Sequence, residues 1–391
     1  MSFDEKMNPY MVSSMHSTTT SLSSERLLLG PGPCNISDRV SASLSRPLLG
    51  HLDPLFLDAM DTCKERLRDA FQTKNEVTFP ISGTGSAGME FLLANFLEPG
   101  DRFLVGVNGV FGTRLMNLAK KMGAQVESVE ADWGSPIDVS QLCEKIRSFK
   151  PKIVAVVNGE TSTGVYQRGM HTIGTSAHDV DALFLADCVT SLTGMPMEID
   201  TWGVDLAFSG TQKCLGCPPG LSPITLSDRA IQRFKERSQS VPSFYFDLEE
   251  ILKYVGPQEG TPRSYHHTAP ISMIFALNEA LQEVLEEGLE TRCQRHAAAA
   301  SLLIEKLEPF GFTPLVAAEH RLNPLTTFQL PDEFDEQAAR RHLLYSHQIE
   351  VGAGLGPLAG KVWRIGLMAG NANSQSVDHL VDGLVDYFEK N

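Results

Sequence analysis

The sequence has no basic run, no long apolar stretch and no paired-cysteine framework. Its 33 lysines and arginines are outnumbered by 48 aspartates and glutamates, giving a formal charge of -15. A surface of that sign repels phosphate backbones, so neither nucleic acid nor an anionic membrane is expected as a partner. The longest apolar runs, Ile153 to Val157 and Ala182 to Ala186, fall far short of the roughly 20 residues a spanning helix needs. Seven cysteines, an odd number scattered from Cys34 to Cys293, do not make a secreted disulfide scaffold and read as reduced core thiols. Cys214-Leu-Gly-Cys217 has C-x-x-C spacing, but a zinc site would need a second pair, and no metal is expected. Residues 1–24 lack arginine and a continuous apolar core and carry Asp4 and Glu5 early, which argues against a leader peptide. They read as an arm, flexible or docked on a partner subunit. Glu389-Lys390-Asn391 is not a Ser-Lys-Leu type address, so the cytoplasm is the expected compartment, with organellar targeting by the arm left open.

What is present is alternation. Short apolar runs near 77–82, 102–107, 124–128, 152–158, 182–187, 204–208 and 222–226 are interleaved with helix-length segments near 86–97, 111–122, 137–149 and 168–179. A long amphipathic segment, 54–72, precedes them. This order predicts βα units and a mainly parallel seven-stranded sheet covered on both faces. Beyond about 270 the texture changes to long helices, 271–287 and 289–308, then strands near 324–330 and 362–367 and helices at 334–346 and 375–389. The expectation is a large α/β domain over 25–287 and a smaller α+β domain over 288–391.

Three polar features stand at predicted strand ends. Gly83-Thr84-Gly85-Ser86-Ala87-Gly88 is a G-x-G-x-x-G that opens a helix. A dinucleotide site would want an acid at the end of the next strand, yet Phe103 to Gly109 holds no carboxylate. Either the turn is merely tight, or its exposed N–H groups, with the Thr84 and Ser86 hydroxyls, hold some phosphate. Asp187 ends the apolar run Ala182 to Ala186, where an ionised carboxylate needs a cation or several hydrogen bonds. It caps the next turn or meets a cationic ring nitrogen. Lys213 follows the run ending at Ser209-Gly210 and precedes the stiff turn Pro218-Pro219-Gly220. It is either a solvated loop amine or one whose desolvation lowers its pKa into a nucleophilic range. Val189 and Phe111, near two of these ends, could cover the faces of a flat ring, although each alone reads more often as core.

In that order, these parts resemble the site of the class-V, fold-type I pyridoxal phosphate-dependent aminotransferases, and within them the alanine–glyoxylate (serine–pyruvate) type. The resemblance runs from about Leu27 to Tyr387. It rests on Leu28-Leu-Gly-Pro-Gly-Pro33, Ser82-Gly-Thr-Gly85, Leu97-Glu-Pro-Gly-Asp101, Asn158-Gly-Glu-Thr-Ser-Thr-Gly164, Asp205 to Gly220, Tyr265-His-His-Thr268 and Lys361-Val-Trp-Arg-Ile-Gly366. It implies that Lys213 carries the Schiff base with pyridoxal phosphate and that Asp187 pairs with the ring nitrogen. Thr84, Gly85, Ser86 and Gln212 would hold the phosphate, joined by Tyr265 and Thr268 from the second subunit of a homodimer with shared active sites. Thr161 would lie near the ring hydroxyl, with Val189 on one ring face and Phe111 on the other. Arg364 would clamp the substrate carboxylate, and Gly32 would keep the space beside the substrate small. Two positions depart from the animal enzymes: Phe111 stands where Trp is common, and Ser86 where His is common.

The expected reaction is ping-pong transfer of an amino group from alanine or serine to glyoxylate or pyruvate. The alternatives on the same scaffold are a lyase or desulfurase and a pyridoxamine–pyruvate type transaminase. A desulfurase needs a mobile reactive cysteine and typically a His before the lysine, where this chain has Gln212. A catalytically silent cofactor-binding relative is a further class.

Overall fold

A computed structural model describes residues 25–256 and 262–390. The arm expected over 1–24 lies outside the described residues. In chain order the first half runs β1 (Leu27–Leu29), α1 (Asp38–Leu44), α2 (Pro54–Phe71), β2 (Val77–Ser82), α3 (Gly85–Phe96), β3 (Arg102–Val107), α4 (Val110–Lys121), β4 (Gln125–Glu130), α5 (Val139–Phe149) and β5 (Ile153–Val157). It continues with β6 (Gly159–Glu160), β7 (Val165–Tyr166), α6 (Met170–Asp179), β8 (Leu183–Asp187), β9 (Leu206–Phe208), β10 (Leu221–Leu226), α7 (Asp228–Lys235) and α8 (Leu248–Val255). The last part holds α9 (Ile271–Glu287), α10 (Leu289–Leu307), β11 (Thr313–Pro314), β12 (Leu325–Gln329), α11 (Glu336–Ser346), β13 (Ile349–Ala353), β14 (Val362–Gly366) and α12 (Ser374–Lys390).

The seven apolar runs form one sheet in the order β2-β10-β9-β8-β5-β3-β4, parallel except for β10, which is antiparallel to both its neighbours. Strands such as β5 and β8 are buried along their whole length, as expected of a sheet covered on both faces. Long α2 starts where Asp53 accepts from the Leu55 N–H and Pro54 presets the first turn. It buries Phe56, Met60, Cys63, Leu67, Ala70 and Phe71, and α9 packs along it.

A second sheet has the order β1-β13-β14-β12-β11, with β1 parallel to β13 and the other pairs antiparallel. Leu303, Phe312, Phe328, Leu343 and Trp363 form its core. Its edge strand β1 comes from the N-terminal end of the described chain, a pairing that no local pattern announces in three leucines. Sequence pattern also gives no sign of β13, α1, α7 and α8, which are five to eight residues long and too short for a clear period. Gly352 in β13 lets the Gly30–Pro33 turn lie on the strand, since a Cβ there would stand 2.5 Å from Pro31 Cδ.

Parallel strands bring their carboxyl ends to one edge. Asp187 is in register with Val157 of β5 on one side and Phe208 of β9 on the other. Ser82 at the end of β2 faces Leu221 of β10, and the Gly83 N–H donates to the Gly220 carbonyl at 2.9 Å.

Candidate active site

Lys213 lies five residues beyond β9 in a loop tied to itself and to its surroundings. The Thr211 hydroxyl donates to the Pro218 carbonyl at 2.6 Å, the Gly216 N–H to the Lys213 carbonyl at 3.0 Å, and the Cys34 N–H to the Gln212 carbonyl at 3.2 Å. The Lys213 side chain is 7% exposed and its Nζ donates to the Pro31 carbonyl. Burial pulls its pKa down to about 8, where a neutral, nucleophilic amine is well populated. Gly32 sits against it: a Cβ there would be 2.6 Å from Nζ.

Asp187, at the end of β8, is 2% exposed and accepts from the Val189 N–H at 2.9 Å. Burial raises its carboxyl to about 7, with the charge of Glu160 adding to the rise and Arg114 and Lys213 opposing it. Such a group is poised to share a proton with a base placed against it.

The glycine turn opens α3. Thr84 is the N-cap residue but makes no side-chain cap bond, so the first turn keeps N–H groups aimed outward, and both Thr84 and Ser86 are exposed. Gly85 packs closely, since a Cβ there would lie 3.1 Å from Val189 Cγ2 and 3.5 Å from the Ser209 carbonyl. The turn, Val189 and the loop leading to Lys213 therefore meet at one place. Gln212 Oε1 is buried there with no hydrogen-bond partner.

Phe111 is in the first turn of α4, whose N-cap Gly109 offers no side chain. A buried carboxylate replaces the cap: Glu160 accepts from the N–H groups of Phe111 at 3.1 Å and Gly112 at 3.2 Å, and from the Ser162 hydroxyl at 2.5 Å. Burial pushes its pKa up against these bonds. Sequence reasoning missed Glu160, although it follows the apolar run of β5 much as Asp187 ends that of β8. It also missed Arg114, which donates to the Ser86 hydroxyl at 3.2 Å and stands 4.9 Å from the centre of the Phe111 ring. The Thr161 hydroxyl shares a hydrogen bond with that of Thr190.

Arg364, on β14 of the second sheet, is 7% exposed and reaches across to the turn between β6 and β7. Its Nε donates to the Ala353 carbonyl at 2.8 Å and its Nη1 to the Thr161 carbonyl at 3.3 Å. Its charge is one of the influences that lower the Lys213 pKa. Tyr265 and Thr268 are both exposed, with their hydroxyls 3.4 Å apart, and the Tyr265 ring is tilted over His51 at 4.8 Å. Cys214 and Cys217 are buried, Cys214 Sγ donates to the Thr190 carbonyl at 3.4 Å, and burial raises both thiols. They act as packing.

These residues fit pyridoxal phosphate. An uncapped helix N-terminus suits a phosphate, and the Gln212 amide beside it, its oxygen unpartnered, can turn its NH2 toward one. A buried carboxyl suits a pyridine nitrogen, and a desolvated amine suits an aldehyde. The mainly parallel seven-stranded sheet with this lysine beyond its edge is that of the fold-type I pyridoxal phosphate-dependent transferases. The chain belongs to the class-V aminotransferases, whose family model matches residues 38–375. It is 37% identical over 354 residues to the alanine–glyoxylate aminotransferase of Drosophila melanogaster, covering 90% of each chain. It is 36% identical to the (S)-ureidoglycine–glyoxylate transaminase of Bacillus subtilis, over 92% of this chain and 89% of that one. The crystal structure of an alanine–glyoxylate aminotransferase from Nostoc sp. superposes with a TM-score of 0.90 at 44% identity, covering 95% of this chain and 97% of that one. Cofactor and reaction class follow: the protein is a pyridoxal phosphate-dependent aminotransferase. Among the described residues no helix is long and apolar enough to cross a membrane.

Proposed function

We propose that the protein transfers the amino group of a small amino acid, alanine or serine, to glyoxylate or pyruvate, and that it does so as a homodimer. The observation that carries this reading is the contact of Gly32 with Lys213, where even one methyl group would meet the reacting amine. Substrates with little beyond the α-carbon suit such a site. The names of the Drosophila, Bacillus and Nostoc relatives, all glyoxylate-using, support the acceptor.

Bound pyridoxal phosphate supplies an aldehyde that captures amino groups and a ring that takes up the electron pair released at the substrate α-carbon. Lys213 Nζ would hold the cofactor, and as a neutral amine it would accept the α-proton of the amino acid and return a proton. Asp187 holds a positive ring nitrogen through a charge-assisted bond. Thr84, Gly85, Ser86 and Gln212 bind the phosphate, with the Arg114 cation alongside. Val189 and Phe111 cover the two ring faces, Glu160 fixes the backbone that carries Phe111, and Thr161 orients the ring edge. Arg364 presents a planar fork to the substrate carboxylate. Tyr265 and Thr268, paired on the surface, serve the phosphate of a second copy.

A desulfurase is disfavoured because six of the seven cysteines are buried, and the half-buried Cys293 has its thiol raised to about 11. The likeness to NifS-like proteins, at 15% identity, is one of fold alone. The name of the Bacillus relative supports (S)-ureidoglycine as a second candidate donor. A spectral half-reaction screen tests the reading. Alanine or serine should convert bound cofactor to its amino form, and glyoxylate should restore it. Conversion by ureidoglycine alone would replace the donor, and no response to any of these would refute the substrate assignment.

A further inference from the structure

Outside the residues assigned above, three side chains able to ligate a metal converge between α11 and α12. His342 lies on α11, His347 caps its end and Asp386 lies on α12. The Nε2 atoms of both imidazoles approach one oxygen, Asp386 Oδ2, each at 2.9 Å, and the ring centroids are 5.2 Å apart. The three side chains are 16%, 22% and 30% exposed, so the cluster is half-buried with one open side. Gly383, one turn before Asp386, makes room for it, since a Cβ there would stand 3.3 Å from His347 Cγ. Lys390 adds an ammonium 2.7 Å from Oδ1 and 2.8 Å from Oδ2. Three donors therefore crowd Oδ2, more than its two lone pairs serve well.

We propose that His342, His347 and Asp386 bind a divalent transition-metal ion, zinc or a close relative, which clamps the end of α11 to α12. Two imidazoles and one carboxylate suit zinc, cobalt or nickel, and do not suit magnesium or calcium, which take oxygen ligands. The three ligand atoms lie within 4.8 Å of one another. Ligands about 2.0–2.1 Å from a tetrahedral ion stand roughly 3.3 Å apart, so each nitrogen–oxygen gap needs to open by about half an ångström. Water fills the fourth position, and the Lys390 ammonium is the competitor that the ion displaces. The site links two helices that pack on each other and takes no part in transamination.

The test titrates zinc chloride, and separately cobalt chloride, into chelator-treated holoenzyme, reading heat, the visible d–d absorption of cobalt and the unfolding midpoint. One site per chain is expected, with a midpoint that rises with metal and is unmoved by magnesium. Asp386→Asn and His347→Gln should each weaken binding more than about 10-fold, as even outer-shell partners of metal ligands are worth that much, and should leave transamination unchanged. Lys390→Gln, at a side chain 61% exposed and safe for folding, should tighten binding by removing the competing cation. A merely hydrogen-bonded cluster predicts no such gain. No saturable site, binding indifferent to Asp386→Asn and His347→Gln, or binding weakened by Lys390→Gln would each overturn the assignment.

Discussion

Gly32→Ala perturbs the two things the Gly30–Pro33 turn provides, a backbone shape and a space. At φ +101° the residue occupies a region that side chains other than glycine's rarely enter, and forcing alanine there costs about 1–3 kcal/mol. The added carbon would also stand 2.6 Å from Lys213 Nζ, 2.7 Å from Cδ and 2.9 Å from Cε. Relaxed carbon contacts lie at about 3.5–4.0 Å, so the end of the lysine must retreat by roughly 1 Å. A misplacement of about 1 Å at a reacting group costs on the order of 100-fold in rate, or about 2.7 kcal/mol of barrier. Single-turnover absorbance with alanine should therefore show kcat/KM down about 100-fold, alongside a modest loss in unfolding midpoint. Gly100→Ala is the matched control. Gly100 has φ +90° with nothing within 4 Å of the place its new methyl group would take, so the variant carries backbone strain without the contact and should keep its rate. Parental kcat/KM in Gly32→Ala would refute the claim that this glycine bounds the site.

Lys213→Arg keeps a cation that cannot be deprotonated, and turnover should vanish; transamination at the parental rate would contradict the assignment. Asp187 gives a pH signature. Its folded pKa of about 7 lies above the ordinary carboxyl value of 3.8, so its contribution is fully present below the unfolded value and is lost as pH rises through about 7. Thermal melts of cofactor-free protein should show this loss across that window, Asp187→Asn should lack that slope, and bound cofactor should remove it by pairing the carboxylate; equal slopes in all three would be the contrary result. Arg364→Lys loses the planar fork, so kcat/KM should fall by about 10- to 150-fold, the worth of a charged hydrogen bond of about 1.5–3 kcal/mol, mainly through KM. An unchanged KM would place the carboxylate elsewhere.

The large sheet is legible in the sequence because its strands are buried on both faces and their β-branched runs stand out from the intervening helices. The strand ends are legible for the same reason, since Asp187 closes an apolar run and Lys213 follows another in a short polar loop. Glu160 obeys the same pattern yet escapes notice, because Asn158 and Gly159 separate it from β5 and nothing nearby in sequence tells which helix it caps. Arg114 carries no local signal at all. Its bond to Ser86 joins the starts of α3 and α4, helices that follow strands with four others between them in the sheet, and no spacing in the sequence reveals that meeting. Leu27–Leu29 joins the second sheet by pairing with Ile349–Val351, at the far end of the chain, and three leucines alone cannot announce it. Cavity, clamp and convergence all depend on such distant pairings: Gly32 meets Lys213, Arg364 meets Thr161, and His347 meets Asp386.

The central claim is that the amine of Lys213 is the one that holds the cofactor. Reduction of the holoenzyme with borohydride followed by peptide mass spectrometry tests it directly. The prediction is a single cofactor-modified peptide, with the added mass on Lys213. The same label on any other lysine, with Lys213 unmodified, would contradict it.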